Sequence, residues 1–183
     1  MRASVATVHA IVTDLAPGDA LEAEHRREAL RWLESTDDVF RRVRPAAPPR
    51  HLVSYVVLVD PADGAVLLVD HLNAGLWLPP GGHVDPDEDP ALTAVREAKE
   101  ELGIDLTGAR PRFLTITGTV GEHSGHTDVS LWYVGAGHRG LALTIDLREF
   151  REARWWSPAD VRAADPAGFD PHLSRFLAKT AAN

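Results

Sequence analysis

The 183-residue sequence has no cysteine and a single methionine. Without thiols it can form no disulfide, no thiolate zinc site and no cysteine nucleophile. Acids and bases are scattered through residues 1–30, so this stretch does not read as a signal peptide. No uninterrupted apolar run approaches the length that crosses a bilayer. These absences lead to the expectation of a soluble, cytoplasmic protein. Basic charge is scarce as well, with 19 Lys and Arg against 27 Asp and Glu, a formal charge of −8. A nucleic-acid polymer demands a basic face, so neither it nor a membrane is expected as a partner. A small anionic substrate stays compatible if metal ions screen the acids. What remains is ordinary for a folded domain: 44% hydrophobic residues, 25% charged, no repeat and no low-complexity tract.

Residues 4–44 carry helical patterning. Val5, Val8, Val12 and Leu15 recur at helical spacing before Pro17-Gly18 breaks the chain. Asp19 is placed to cap a second helix bearing Leu21, Ala29, Trp32 and Leu33. Ser35 or Thr36 is placed to cap a short third helix with Val39, Phe40 and Val43. Residues 44–50, with three prolines, read as a linker. The division expected is an N-terminal helical extension and Pro-rich linker over 1–50, followed by the main domain over 51–183. The extension reads as a cap packed on that domain, with a homodimer or partner-binding arm as the alternative.

From residue 51 short β runs take over. Leu52–Val59 is almost wholly apolar, as in a strand buried on both faces, and a turn at 61–64 leads into a second strand over Ala65–Val69. Further strands are expected at Arg112–Val120, Val129–Val134, Leu141–Ile145 and Ala153–Trp156. Helices are expected at Asp89–Leu102, Pro158–Ala163 and Pro171–Thr180. Interleaved strands and helices point to an α/β fold in which helices sandwich a mixed sheet.

The chemistry gathers after Pro79-Pro80-Gly81-Gly82. Asp89 suits a helix N-cap, Pro90 the first helical position and Gly103 the left-handed terminator. Ala91, Val95, Ala98 and Leu102 form an apolar stripe between them. Glu97, Glu100 and Glu101 stand at i, i+3 and i+4, so like charges crowd one face at a cost in stability. Such a face can be plain solvated surface. Two features favour a site instead: a double-glycine turn that allows close approach of ligand to backbone, and an all-oxygen donor set suited to Mg²⁺ or Mn²⁺ bridging to phosphate.

Gly82, then five residues, Glu88, then seven, then Arg96-Glu97-Ala98-Lys99-Glu100-Glu101-Leu102-Gly103-Ile104 resembles the Nudix box, the signature of the Nudix hydrolases. Seven fixed residues, each at a background frequency of about 7%, match by chance on the order of 10⁻⁸ per start position. Ala98 departs softly, since the family more often has a larger aliphatic residue there. The resemblance implies an α/β/α sandwich with a mixed sheet, and hydrolysis of a nucleoside diphosphate linked to another moiety. It implies Glu100 and Glu101 as metal ligands, Glu97 on the metal or its water, and the Gly82 carbonyl as a further ligand. Arg96 would hold the glutamates, and Glu88 would pair with Arg96 as a structural residue. Residues 1–50 lie outside it.

Members of this family often use an acid outside the box, for which Glu149 is the first candidate, Glu152 the second and Glu122 the third. Trp77, His123 and His126 are candidates for contacting substrate, although Trp77 could equally be core. Trp132 and Tyr133 point to opposite faces of one strand, so only one is expected in the core. Nine histidines show no spaced pair with supporting acids, and no zinc site is expected. The resemblance also implies substrate markers. The proline of ADP-ribose hydrolases, the tyrosine of dinucleoside polyphosphate hydrolases and the extra motif of coenzyme A hydrolases are not found. A nucleoside triphosphate or related small nucleotide is thus the expected substrate. The alternatives are a nucleotide sugar or ADP-ribose-type substrate, or a non-catalytic module that senses a nucleotide.

Overall fold

A computed structural model describes residues 1–43, 47–120 and 125–181. The elements run α1 (Ala3–Asp14), α2 (Ala20–Ser35), β1 (Arg50–Val59), β2 (Val66–His71), β3 (Leu76–Leu78), β4 (Gly81–His83), α3 (Pro90–Leu102), β5 (Arg110–Gly118), β6 (Thr127–Ala136), β7 (Phe150–Trp156), α4 (Pro158–Ala163), a 3₁₀ turn at Pro166–Gly168, and α5 (Leu173–Ala181).

One mixed sheet organises the molecule, with β3, β2, β1, β6 and β5 side by side, β4 paired to β1 and β7 to β2. The β1–β6 pair is parallel and the other pairs are antiparallel. Side chains alternate across the sheet, and the two cores follow that alternation. Leu52, Val56, Leu58, Val129, Leu131 and Tyr133 pack with α1, α2 and α3. Val57, Phe113 and Trp132 pack with Val161, Phe169, Leu173 and Phe176 from the C-terminal helical segment. The result is the expected α/β/α sandwich. Trp132 and Tyr133 are both fully buried, in opposite layers, because helices cover each face of the sheet. The expectation of only one in the core is thereby corrected.

The N-terminal helices pack onto this body. Val5, Val8 and Val12 are fully buried in the larger core, and burying a valine contributes about 1.5–3 kcal/mol. Asp19 caps α2 by accepting from the Glu22 amide. α2 also covers the open edge of β5, where Leu114 N–H donates to Glu22 Oε1 at 3.3 Å and Ile116 N–H to His25 Nδ1 at 3.2 Å. An exposed strand edge invites aggregation, and these side chains occupy its free donors.

Two expected elements do not form. Residues 36–43 are not helical: the Thr36 hydroxyl accepts from the Asp38 amide, and the Val39 carbonyl accepts from Leu52 at the start of β1. Val39 and Phe40 are still buried, so the apolar signal marked a plug rather than a helix. Residues 141–145 are not a strand either. Thr144 N–H donates to the Leu102 carbonyl and Asp146 N–H to that of Glu101. The segment thus satisfies carbonyls that the end of α3 leaves open, while Leu141, Leu143 and Ile145 pack on the core. Along α3 the buried stripe runs through Ala94, Ala98 and Leu102, whereas Val95 is exposed.

Candidate active site

β4 is a three-residue strand laid against the middle of β1, with Gly81 opposite Tyr55 and Gly82 opposite Ser54. Gly81 has φ +145°, and a Cβ there would lie 2.3 Å from the Ser54 carbonyl oxygen. A Cβ on Gly82 would lie 2.2 Å from Glu97 Oε1. Glycine is needed twice for different reasons, once by the backbone and once by the carboxylate.

α3 starts with Asp89 accepting from the Ala91 amide and ends at Gly103, whose φ is +71°. Ser54 Oγ donates to the Pro90 carbonyl at 2.8 Å, which ties the helix start to β1. This placement aims Glu97 and Glu101 at the double glycine. Gly81 N–H donates to Glu101 Oε2 at 2.7 Å. Burial, then the neighbouring Glu97 charge, raise the Glu101 pKa to about 9. Burial raises Glu97 too, opposed by Arg96. Two adjoining carboxylates in so dry a place resist being ionised together.

Arg96 organises the cluster. Its Nε and Nη2 donate to the two oxygens of Glu88 at 3.2 and 3.1 Å, and its Nη1 donates to Glu97 Oε1 at 2.7 Å. Glu100 Oε2 lies 3.6 Å from Nη1, on a side chain that is mostly exposed. Burial alone would raise Glu88, but hydrogen bonds from Arg96 and the Thr93 hydroxyl outweigh it and hold the carboxyl below its ordinary value. Lys99 turns away to Asp105, at 2.8 Å.

Glu97, Glu100 and Glu101 face a cleft of about 650 Å³ that Gly81, Gly82 and Glu149 also line. Glu149 immediately precedes β7, and its charge bears on both Glu97 and Glu101. Glu152 lies within β7 and is exposed, outside the cleft lining. Trp77 is not brought to the cleft: it packs edge-on against Trp156, with ring centres 5.1 Å apart. His126 is buried in the cleft wall, its Nδ1 3.2 Å from the Thr119 hydroxyl and its Nε2 3.4 Å from Asp128. Glu122 and His123 lie outside the described residues.

The sequence reading missed Tyr55 and Asp170, both on the cleft lining. Burial lifts the Asp170 carboxyl to about 6 and the Tyr55 phenol well above its ordinary value. No local motif marks either residue, since Tyr55 reads as one more apolar strand position.

The donor set fits a hard dication. Glu97, Glu100, Glu101 and Glu149 line one cleft with Gly82, a set of oxygen donors, and the buried pair gains stability from positive charge beside it.

Residues 49–179 match the family model of the NUDIX domain. Over 145 residues the chain is 32% identical to the CTP pyrophosphohydrolase of Escherichia coli, which spans 72% of this chain and 96% of that protein. A NUDIX-family hydrolase from Clostridium perfringens shares the fold with a TM-score of 0.57 at 23% identity, covering 73% of this chain and 99% of the other. A MutT NUDIX hydrolase from Burkholderia pseudomallei gives a TM-score of 0.54 at 25% identity, covering 70% and 95%.

Proposed function

The chain belongs to the NUDIX hydrolase family, and from that premise we propose that it is a Mg²⁺-dependent pyrophosphohydrolase whose substrate is a nucleoside triphosphate or a related small nucleotide. One observation carries the reading: Glu97, Glu100, Glu101 and Glu149 line a single cleft beside the double glycine. Similarity to a CTP pyrophosphohydrolase along nearly its whole length supports the substrate class.

In this reading the Gly82 carbonyl, Glu97, Glu100, Glu101 and Glu149 hold Mg²⁺, with Mn²⁺ as a substitute. The bound dication would neutralise the diphosphate and make a water acidic enough to attack phosphorus. Arg96 holds Glu97 in place and restrains Glu100. Glu149, outside the Arg96 network, completes this ligand set, and one of the carboxylates would accept the proton of the attacking water. Attack breaks one P–O–P bond and leaves a nucleoside monophosphate and pyrophosphate from a triphosphate. The cleft lining also includes Leu76 and Leu78, apolar surface suited to the base and sugar.

The test is a panel of nucleoside triphosphates, nucleotide sugars, ADP-ribose and dinucleoside polyphosphates, assayed with Mg²⁺ for released monophosphate. Turnover of a triphosphate that Glu101→Gln lowers by at least about 10³-fold is the expected result. Binding without turnover across the whole panel overturns it.

A further inference from the structure

Beside the double glycine stand three histidines and one aspartate that the hydrolytic reading does not use, and His83, His126 and Asp128 line the cleft. His51 is on β1, directly opposite Asp128 on parallel β6. His83 is on β4, opposite Val53, and His126 immediately precedes β6. Ligand atoms of all four lie within 4.8 Å of one another. His51 Nε2 is 3.3 Å, His126 Nε2 3.4 Å and His83 Nε2 3.9 Å from the same oxygen, Asp128 Oδ1. The rings of His83 and His126 both lie beside that of His51, at 4.7 Å between centres.

His51 decides what the cluster is for. Its side chain is fully buried, and its Nδ1 is 2.8 Å from the Pro48 carbonyl. A carbonyl only accepts, so Nδ1 carries a hydrogen, and in the neutral ring Nε2 presents a bare lone pair. Among the described residues, neither His51 Nε2 nor Asp128 Oδ1 has a hydrogen-bond partner. With the ring neutral, these are two buried acceptors 3.3 Å apart, which repel. A cation between them removes that cost.

We propose that His51, His83, His126 and Asp128 form a second metal site, specific for a borderline transition dication of the Zn²⁺ class. Three imidazoles and one carboxylate suit such an ion and not Mg²⁺, which takes oxygen donors. The spacing fits as well. Ligands about 2.0–2.1 Å from a tetrahedral ion stand roughly 3.3–3.4 Å apart, close to the two shorter separations to Asp128 Oδ1. The Thr119 hydroxyl beside His126 Nδ1 supplies the outer contact that orients a ligating imidazole. Four protein ligands leave no open position, so the site is structural. It joins β1, β4 and β6 one residue from Gly82, and it stands whether or not the acidic site hydrolyses nucleotides. Sequence spacing could not reveal it, because the four residues come from three separate strand regions.

The test uses full-length protein freed of metal by a chelator and titrated with Co²⁺, whose tetrahedral complexes absorb strongly in the visible. Intense bands should saturate at about one equivalent, vanish on adding Zn²⁺ and persist in excess Mg²⁺. Zn²⁺ should also raise Tm. Asp128→Asn and His83→Gln should lose the bands, while Glu101→Gln keeps them. If either first variant misfolds by circular dichroism, the Glu101→Gln comparison and the Zn²⁺ effect on wild-type Tm decide. Weak octahedral absorption alone, no Zn²⁺ effect on Tm, or bands that disappear in Glu101→Gln overturn the proposal. The first two outcomes would mean that a proton, not a metal, bridges His51 and Asp128.

Discussion

Glu97 fills the volume that a side chain at position 82 would take: a Cβ on Gly82 would sit 2.2 Å from its Oε1 and 2.6 Å from its carboxyl carbon. The turn and the helix are therefore matched to each other, and neither motif acts alone.

This match separates stability from activity. In Gly82→Ala the methyl meets the end of a flexible side chain, which can swing aside. The loss of stability should stay below about 1.5 kcal/mol, while turnover falls on the order of 10²-fold because Glu97 leaves its position. Gly81→Ala should do the reverse of mild. Its methyl meets the Ser54 and Tyr55 backbone at positive φ, costing roughly 2 kcal/mol or more. Urea denaturation beside steady-state kinetics tests both, and equal destabilisation by the two variants would refute the distinction.

Glu101 makes the metal-free protein sensitive to alkali. Its folded pKa of about 9 lies above the ordinary 4.5, so the folded state holds a proton that the unfolded state has released between these values. The stability it contributes is full below pH 4.5 and declines as pH rises through about 9. Without metal, Tm of the wild type should fall relative to Glu101→Gln over that window. Mg²⁺ should release protons on binding and bind more tightly as pH rises. Parallel wild-type and Glu101→Gln Tm profiles would contradict this.

Arg96 spends two donors on Glu88 and one on Glu97. Lysine keeps the charge but cannot form that fork. We expect Arg96→Lys to lower kcat by about 10–10²-fold with a smaller change in KM, since the residue positions Glu97 rather than binding substrate. Unchanged kcat would show that Glu97 holds its place unaided.

Lys179 in α5 donates to both oxygens of Glu22, at 2.7 and 2.9 Å, and Glu22 is almost fully buried. Breaking a buried pair strands a charge and costs roughly 3–5 kcal/mol. Lys179→Met should therefore destabilise strongly, and adding Glu22→Gln should recover part of the loss. Equilibrium denaturation of the two single variants and the double variant measures the coupling. Additive effects would mean that the Glu22–Lys179 pair itself contributes no coupling.

Much of this protein is written in local order. The box, its caps at Asp89 and Gly103, most strands and the two long N-terminal helices follow from spacing and turn chemistry, which act over a few residues. Glu97, Glu100 and Glu101 could be grouped in advance because i, i+3 and i+4 necessarily share a helix face. Residues 36–43 and 141–145 were misread because their periodicity recorded burial correctly but not the partner, which for 141–145 is a helix end. Tertiary structure alone decided the rest. It buried Trp132 and Tyr133 together by covering both faces of the sheet, and joined Glu22 to Lys179 across nearly the whole chain. It also brought His51, His83, His126 and Asp128 together through strand register. Such contacts depend on which strands become neighbours, and that is settled by packing of the whole core rather than by any run of adjacent residues.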